Sequence, residues 1–191
     1  MNITGNRHID DWIEEIAKKA KPDQIVLIDG SQAQLDALRA EAVADGSMIR
    51  LNEELYPNCY LHRTDKDDVA RVEGRTYICC KKEEDAGPTN HWMEPSKMYE
   101  MLCGIIEGSM VGRTMYVIPY SMSVIGSPFA KYGVELTDST YVVLNMSIMT
   151  RAGRAVLDAL ADSGDIIKGI HTQGTHDPEK RYIVQFPEDN T

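Results

Sequence analysis

Thr114–Tyr120 reads TMYVIPY and Thr140–Met149 reads TYVVLNMSIM, and the way these two apolar runs fold decides the architecture. The first is short and rich in β-branched and aromatic residues, which predicts a buried strand. Pro119 offers no amide hydrogen, so the end of that strand is expected to be unpaired, bulged or at an edge. In the second run Val142, Leu144, Met146 and Ile148 alternate with Asn145 and Ser147. That period predicts another strand, one face in the core and one face wet.

Helical patterns surround this pair. Ile9, Trp12, Ile13, Ile16, Ala17 and Ala20 share one helical face, acidic residues crowd the start, lysines crowd the end, and Pro22 stops the run. The apolar QIVLID stretch at 24–29 predicts a buried strand. Gly30 then turns the chain, and Ser31 with Gln34 predicts a capping box for a second helix ended by Gly46. Gly30 between a strand and a helix is read as an ordinary turn, not an anion site. Leu51–Pro57 is expected to be irregular, 58–80 to form short strands around an acidic turn, and 81–90 to be a charged connection. Pro95 opens a helix with a stripe of Met98, Met101, Leu102, Ile105 and Ile106, closed by Gly108. Thr150 is expected to cap a fourth helix through Leu160, ended by Gly164, and IIKGIHTQG and RYIVQF read as a closing pair of strands. The sum is an α/β fold: a single domain over residues 1–191, a mixed sheet with flanking helices.

The totals exclude several function classes. The chain has 191 residues, 42% hydrophobic and 26% charged, with a formal net charge of −10. That charge opposes duplex nucleic acid as a partner, and no basic aromatic platform suits single strands. No apolar run reaches the roughly 20 residues a membrane span needs, and MNITGNRHIDDW lacks the order of a signal peptide. The four cysteines, Cys59, Cys79, Cys80 and Cys103, include no CxxC and predict reduced thiols in a cytoplasmic protein. Cys59 and His62 are close enough for a metal pair, but no second pair follows at zinc spacing. His171 and His176 are expected in a polar, solvated loop.

No phosphate loop, dinucleotide fingerprint, HExxH or nucleophile elbow occurs. The residues alone therefore assemble no complete catalytic constellation. One stretch stands out: in VARVEGRTY, Val69–Tyr77, the charged side chains of Arg71, Glu73 and Arg75 would line one side of an extended chain.

Gly112–Gly153, GRTMYVIPYSMSVIGSPFAKYGVELTDSTYVVLNMSIMTRAG, closely resembles the N-terminal domain of GTP-dependent phosphoenolpyruvate carboxykinases. The phrases GRTMYVIP, GSP, GVELTDS and IMTR carry the resemblance, with TDKDDVARVEGRTYI upstream and DGS at 29–31. It spans roughly Ile25 to Ile170 and weakens at both ends, and KKEEDAGPTNHWMEPSKM departs from the family pattern. The family converts oxaloacetate and GTP to phosphoenolpyruvate, GDP and CO2. The resemblance implies that Arg71 grips a substrate carboxylate and that Glu73 contacts the mobile lid, while Arg75 matches no functional residue and reads as surface.

It further implies that the residues for GTP, Mn2+ and Mg2+ lie beyond this chain, so no catalytic, cofactor-binding or metal-binding residue is expected within it. The glycine-tyrosine-glycine substrate loop of the family would follow RYIVQFPEDNT. The expected partners are oxaloacetate or phosphoenolpyruvate and a C-terminal domain, in a monomeric full-length enzyme. The chain alone is expected to be inactive and, if a bare face is apolar, to self-associate. The competing reading is a free-standing, non-catalytic binding or regulatory protein that kept the carboxykinase N-terminal fold.

Overall fold

A computed structural model of the protein describes residues 2–64, 72–174 and 176–191. The main sheet is mixed. β6 (Thr114–Ser121) lies between β1 (Gln24–Leu27), its parallel neighbour, and β7 (Tyr132–Thr137), its antiparallel one. β9 (Ile167–His171) extends the sheet beside β7, and the two-residue β8 (Arg151–Ala152) pairs with the end of β6. Because alternate strand residues face opposite sides, β6 feeds two cores. Met115 and Val117 pack with α1 (Arg7–Ala20) and α5 (Arg154–Leu160). Tyr116 and Ile118 pack with α2 (Gln32–Ala44) and α4 (Thr140–Met149).

The fold is the expected α/β architecture with a mixed sheet and flanking helices, and the α1, α2, β1 and β6 readings hold. Pro119 fits β6 because β1 ends opposite Val117. Its carbonyl accepts the Gly153 amide, and the missing N–H falls on the same side, in the gap between the end of β1 and β8. α3 (Pro95–Ile106) also forms as read: Met98 is fully buried, and Met101 and Leu102 pack beside it.

The stretch at 140–149 is helix, not strand. Ser139 caps it by accepting the Val142 amide, and Val143 and Leu144 bury. Its residues are apolar nearly all round, so a strand period and a helix period are both present in the letters. The strand that pairs with β6 is instead YGVELT, 132–137, in which Gly133 makes room for the Tyr120 ring. Thr150 does not open the next helix; its hydroxyl closes α4 on the Met146 carbonyl, and Gly153 begins α5. The two closing strands do not pair. β9 joins the main sheet, whereas β10 (Ile183–Gln185) lies parallel to β4 (Thr76–Ile78), which pairs with β5 (His91–Trp92) in a small parallel sheet. β2 (Met48–Arg50) and β3 (Tyr60–His62) form a separate antiparallel pair.

Two turns meet backbone to backbone below the sheet end. Gly30 and Gly153 both have positive φ, and a Cβ on Gly153 would stand 2.2 Å from the Asp29 carbonyl oxygen. Only glycine allows that approach. Ser31 caps α2 through the Gln34 amide, but the Gln34 side chain turns back to accept the Asp29 amide, two residues before the Ser31 amide that a capping box would use. The Asp29 carboxylate takes the Ser31 amide and is held below its usual pKa by that bond.

On the α2 and α4 side of β7, Glu135 lies opposite Ile118 and Gly169. Its carboxyl covers Gly169, where an added Cβ would come within 1.7 Å of Oε2. Burial raises its pKa from 4.5 to about 7. The folded chain therefore keeps a proton that the unfolded chain releases between those values. Stability is expected to fall as pH rises through that window, by about 3 kcal/mol over the whole gap, and to level off above it. Urea unfolding at pH 5 and pH 8 measures this, and Glu135→Gln should remove the slope. An equal slope in both proteins contradicts the assignment.

Candidate functional site

The charged stretch leads into the small parallel sheet. Arg71 itself lies outside the described residues, as does the acidic turn before it. Glu73–Arg75 is a turn of 3-10 helix, not extended chain. At about three residues per turn, Glu73 and Arg75 no longer share a side, and the expected stripe does not form among the described residues.

The turn is tightly tied. The Val72 carbonyl accepts both the Arg75 amide at 2.9 Å and the Thr76 hydroxyl at 2.8 Å. The backbone next to Arg71 is thereby fixed. Arg75 is no loose surface residue: its guanidinium donates to the Pro178 carbonyl and pairs with Glu179 at 2.6 Å. Pro178–Lys180 is itself a 3-10 turn, capped by Asp177 through the Glu179 amide. Arg75 thus joins two turns about a hundred residues apart in sequence, which no local pattern announces. Glu73 is exposed.

An aromatic wall stands beside the turn. Tyr77 on β4 lies 5.8 Å from the His91 ring and 6.5 Å from Tyr182. The sheet is anchored from behind by Phe186, which stacks on Tyr99 of α3 at 4.0 Å. Burial, then the Asp189 carboxylate, pushes the Tyr99 hydroxyl up to about 12, so it stays a donor to Asp189 at 3.0 Å. Next to it the Glu188 carboxylate takes the Lys81 amide at 3.0 Å, which holds its pKa low.

The other candidates resolve into structure. His62 Nδ1 is 2.6 Å from the Ser47 carbonyl, so it must donate there, and its ring stacks on Tyr141 at 4.1 Å. Cys59 is an exposed free thiol, while Cys79 is buried and burial raises its pKa. His171 ends β9, its Nδ1 2.8 Å from the Thr137 hydroxyl, and so is part of the sheet instead of a loop. Among the described residues no three His, Cys, Asp or Glu side chains stand together as ligands for a metal.

Fold and site define a mixed α/β domain that carries a clamped, charged turn at the rim of a small parallel sheet. Residues 11–191 match the family described as the phosphoenolpyruvate carboxykinase N-terminal domain, and the chain belongs to that family. The match reaches further toward both ends than the motifs alone suggest. Among curated relatives, the phosphoenolpyruvate carboxykinase (GTP) of Anaeromyxobacter sp. (strain K) is 49% identical over 188 residues, covering 98% of this chain and 32% of that protein. That of Corynebacterium kroppenstedtii is 46% identical over 197 residues, covering 97% and 32%. The chain thus spans about a third of the length of the relatives it matches.

Removing the clamp should loosen the turn without unfolding the domain. Arg75→Ala loses one partly exposed ion pair and one hydrogen bond, together worth about 1 kcal/mol. Hydrogen exchange at the Arg75 and Thr76 amides should quicken about fivefold, with exchange in β6 unchanged. Unaltered exchange at both amides would show that the clamp does not hold the turn.

Proposed function

We propose that this chain is one domain, the substrate-carboxylate domain of a GTP-dependent phosphoenolpyruvate carboxykinase acting in the cytoplasm. In that reaction oxaloacetate loses CO2, and GTP phosphorylates the resulting enolate oxygen to give phosphoenolpyruvate. The family match over 11–191 carries the reading. The VARVE sequence at 69–73 supports the assignment of residues within it.

Arg71 grips a carboxylate of the dianionic substrate. A guanidinium does this with two parallel N–H···O bonds, a geometry that a lysine ammonium cannot reproduce. The doubly held Val72 carbonyl supports this role, because a binding arginine works best on a fixed backbone. Exposed Glu73 secures the lid when it closes over substrate. GTP with Mn2+ and Mg2+ is held by the further length that the relatives possess, so the 191 residues alone are inactive.

Steady-state kinetics of a full-length enzyme containing this chain test the assignment. Arg71→Ala should lower kcat/KM for oxaloacetate ten- to a hundredfold, the equivalent of about 1.5–3 kcal/mol. Arg71→Lys should be impaired as well. Glu73→Ala should lower kcat while leaving KM near normal. Wild-type kcat/KM in Arg71→Ala would sink the carboxylate role, and a normal kcat with a large rise in KM would move Glu73 from the lid to the substrate.

A further inference from the structure

The end of the main sheet where β6 finishes is unlike an ordinary loop surface. The connection from β6 to β7 is tied by several bonds of its own, although the buried Ser123 hydroxyl has no partner among the described residues. The Ser121 hydroxyl donates to the Lys131 carbonyl at 3.0 Å and receives the Ser123 amide. The Gly126 amide donates to the Tyr132 hydroxyl at 3.0 Å, and the Ser127 and Ala130 amides close two turns onto Val124 and Ser127. Held by these bonds, the loop exposes apolar side chains: Phe129 is 88% exposed, Met122 66% and Val124 65%.

The C-terminus of α4 arrives at the same place. Ile148 is 77% exposed and Met149 61%, and the next residues enter β8 against Tyr120 and Ser121. Arg151 binds the two parts together by donating to the Met122 carbonyl at 3.1 Å. Five large apolar side chains therefore stand out from two hydrogen-bonded segments at one sheet end. An ordered apolar patch of this kind marks an interaction surface.

The last residues of the chain lie at this end too. β9 begins there, opposite Gly133, and the Asn190 carbonyl accepts the Lys168 amide at 2.7 Å. The relatives are about three times as long as the matched part, and that part is their N-terminal domain. We infer that the patch of Met122, Val124, Phe129, Ile148 and Met149 is the docking face for the remaining two-thirds of the carboxykinase polypeptide. This rests on the proposed function. It would place the β6–β7 loop at the junction between the carboxylate-binding part and the rest of the enzyme.

Methionine oxidation by dilute peroxide, followed by mass spectrometry, tests the inference. The 191-residue chain is compared with the same chain continued by the rest of the Anaeromyxobacter relative, and separately by the rest of the Corynebacterium kroppenstedtii relative. Oxidation of Met122 and Met149 should be at least tenfold slower in a continued chain, and Phe129→Asp in that chain should restore much of the rate. Unchanged oxidation in both continued chains overturns the docking face; if those chains turn over oxaloacetate, the proposed function survives that result. Protection without turnover keeps the docking face and counts against the proposed function. Protection that appears only when the 191-residue chain is concentrated, and not in either continued chain, makes a second copy the occupant and overturns the inference.

Discussion

The two-sided burial of β6 is the constraint on which the rest depends. Its eight residues pair with β1 and then β8 on one side and with β7 on the other, and send alternate side chains into two separate cores. A register shift of one residue would exchange Met115 and Val117 for Tyr116 and Ile118 and mismatch both cores at once. The strand also sets the sheet end. Because β1 stops opposite Val117, the carbonyl of Pro119 is left to receive Gly153, and this draws α5 and the Gly30–Gly153 contact into place. The helices pack where β6 and its neighbours leave apolar faces.

The candidate site sits away from that strand, on a smaller and less buried scaffold. Three short parallel strands carry it, held by Phe186, Met98 and Cys79 in a cluster of their own. Such a scaffold has little burial to stiffen it, so local bonds do the fixing. The Val72 carbonyl with its two donors, Arg75 reaching to the 178–180 turn, and Glu188 on the Lys81 amide all act in that way. The result is a rigid turn with Glu73 exposed beside it.

Much of the fold was legible in the residues, and the failures have physical causes. α1 and α3 were legible because each has one apolar face and clear end signals, Pro22 after one and Pro95 before the other. α4 was misread because a helix that is apolar nearly all round also fits a strand's alternation, and β-branched residues favour a strand on propensity alone. Ser139 was the missed signal, since its hydroxyl caps the run. β7 was missed because Gly133 and the half-buried Glu135 break the usual strand composition. In the site, Glu73 was singled out by the family resemblance and not by geometry. Arg75 was dismissed because its partners, Pro178 and Glu179, are remote in sequence, and a pairing of that kind leaves no local trace.

The account divides the chemistry between two bodies. In the function proposed above, this chain offers a carboxylate grip, and the nucleotide and metals belong to the length that its relatives have beyond it. Calorimetric titration of the 191-residue chain with GTP and Mn2+ tests that division most directly. The account predicts no heat beyond dilution, since the sequence holds no phosphate-loop motif and the described residues form no metal cluster. Micromolar binding of GTP with Mn2+ would show that a nucleotide site lies within these residues, and would contradict the division.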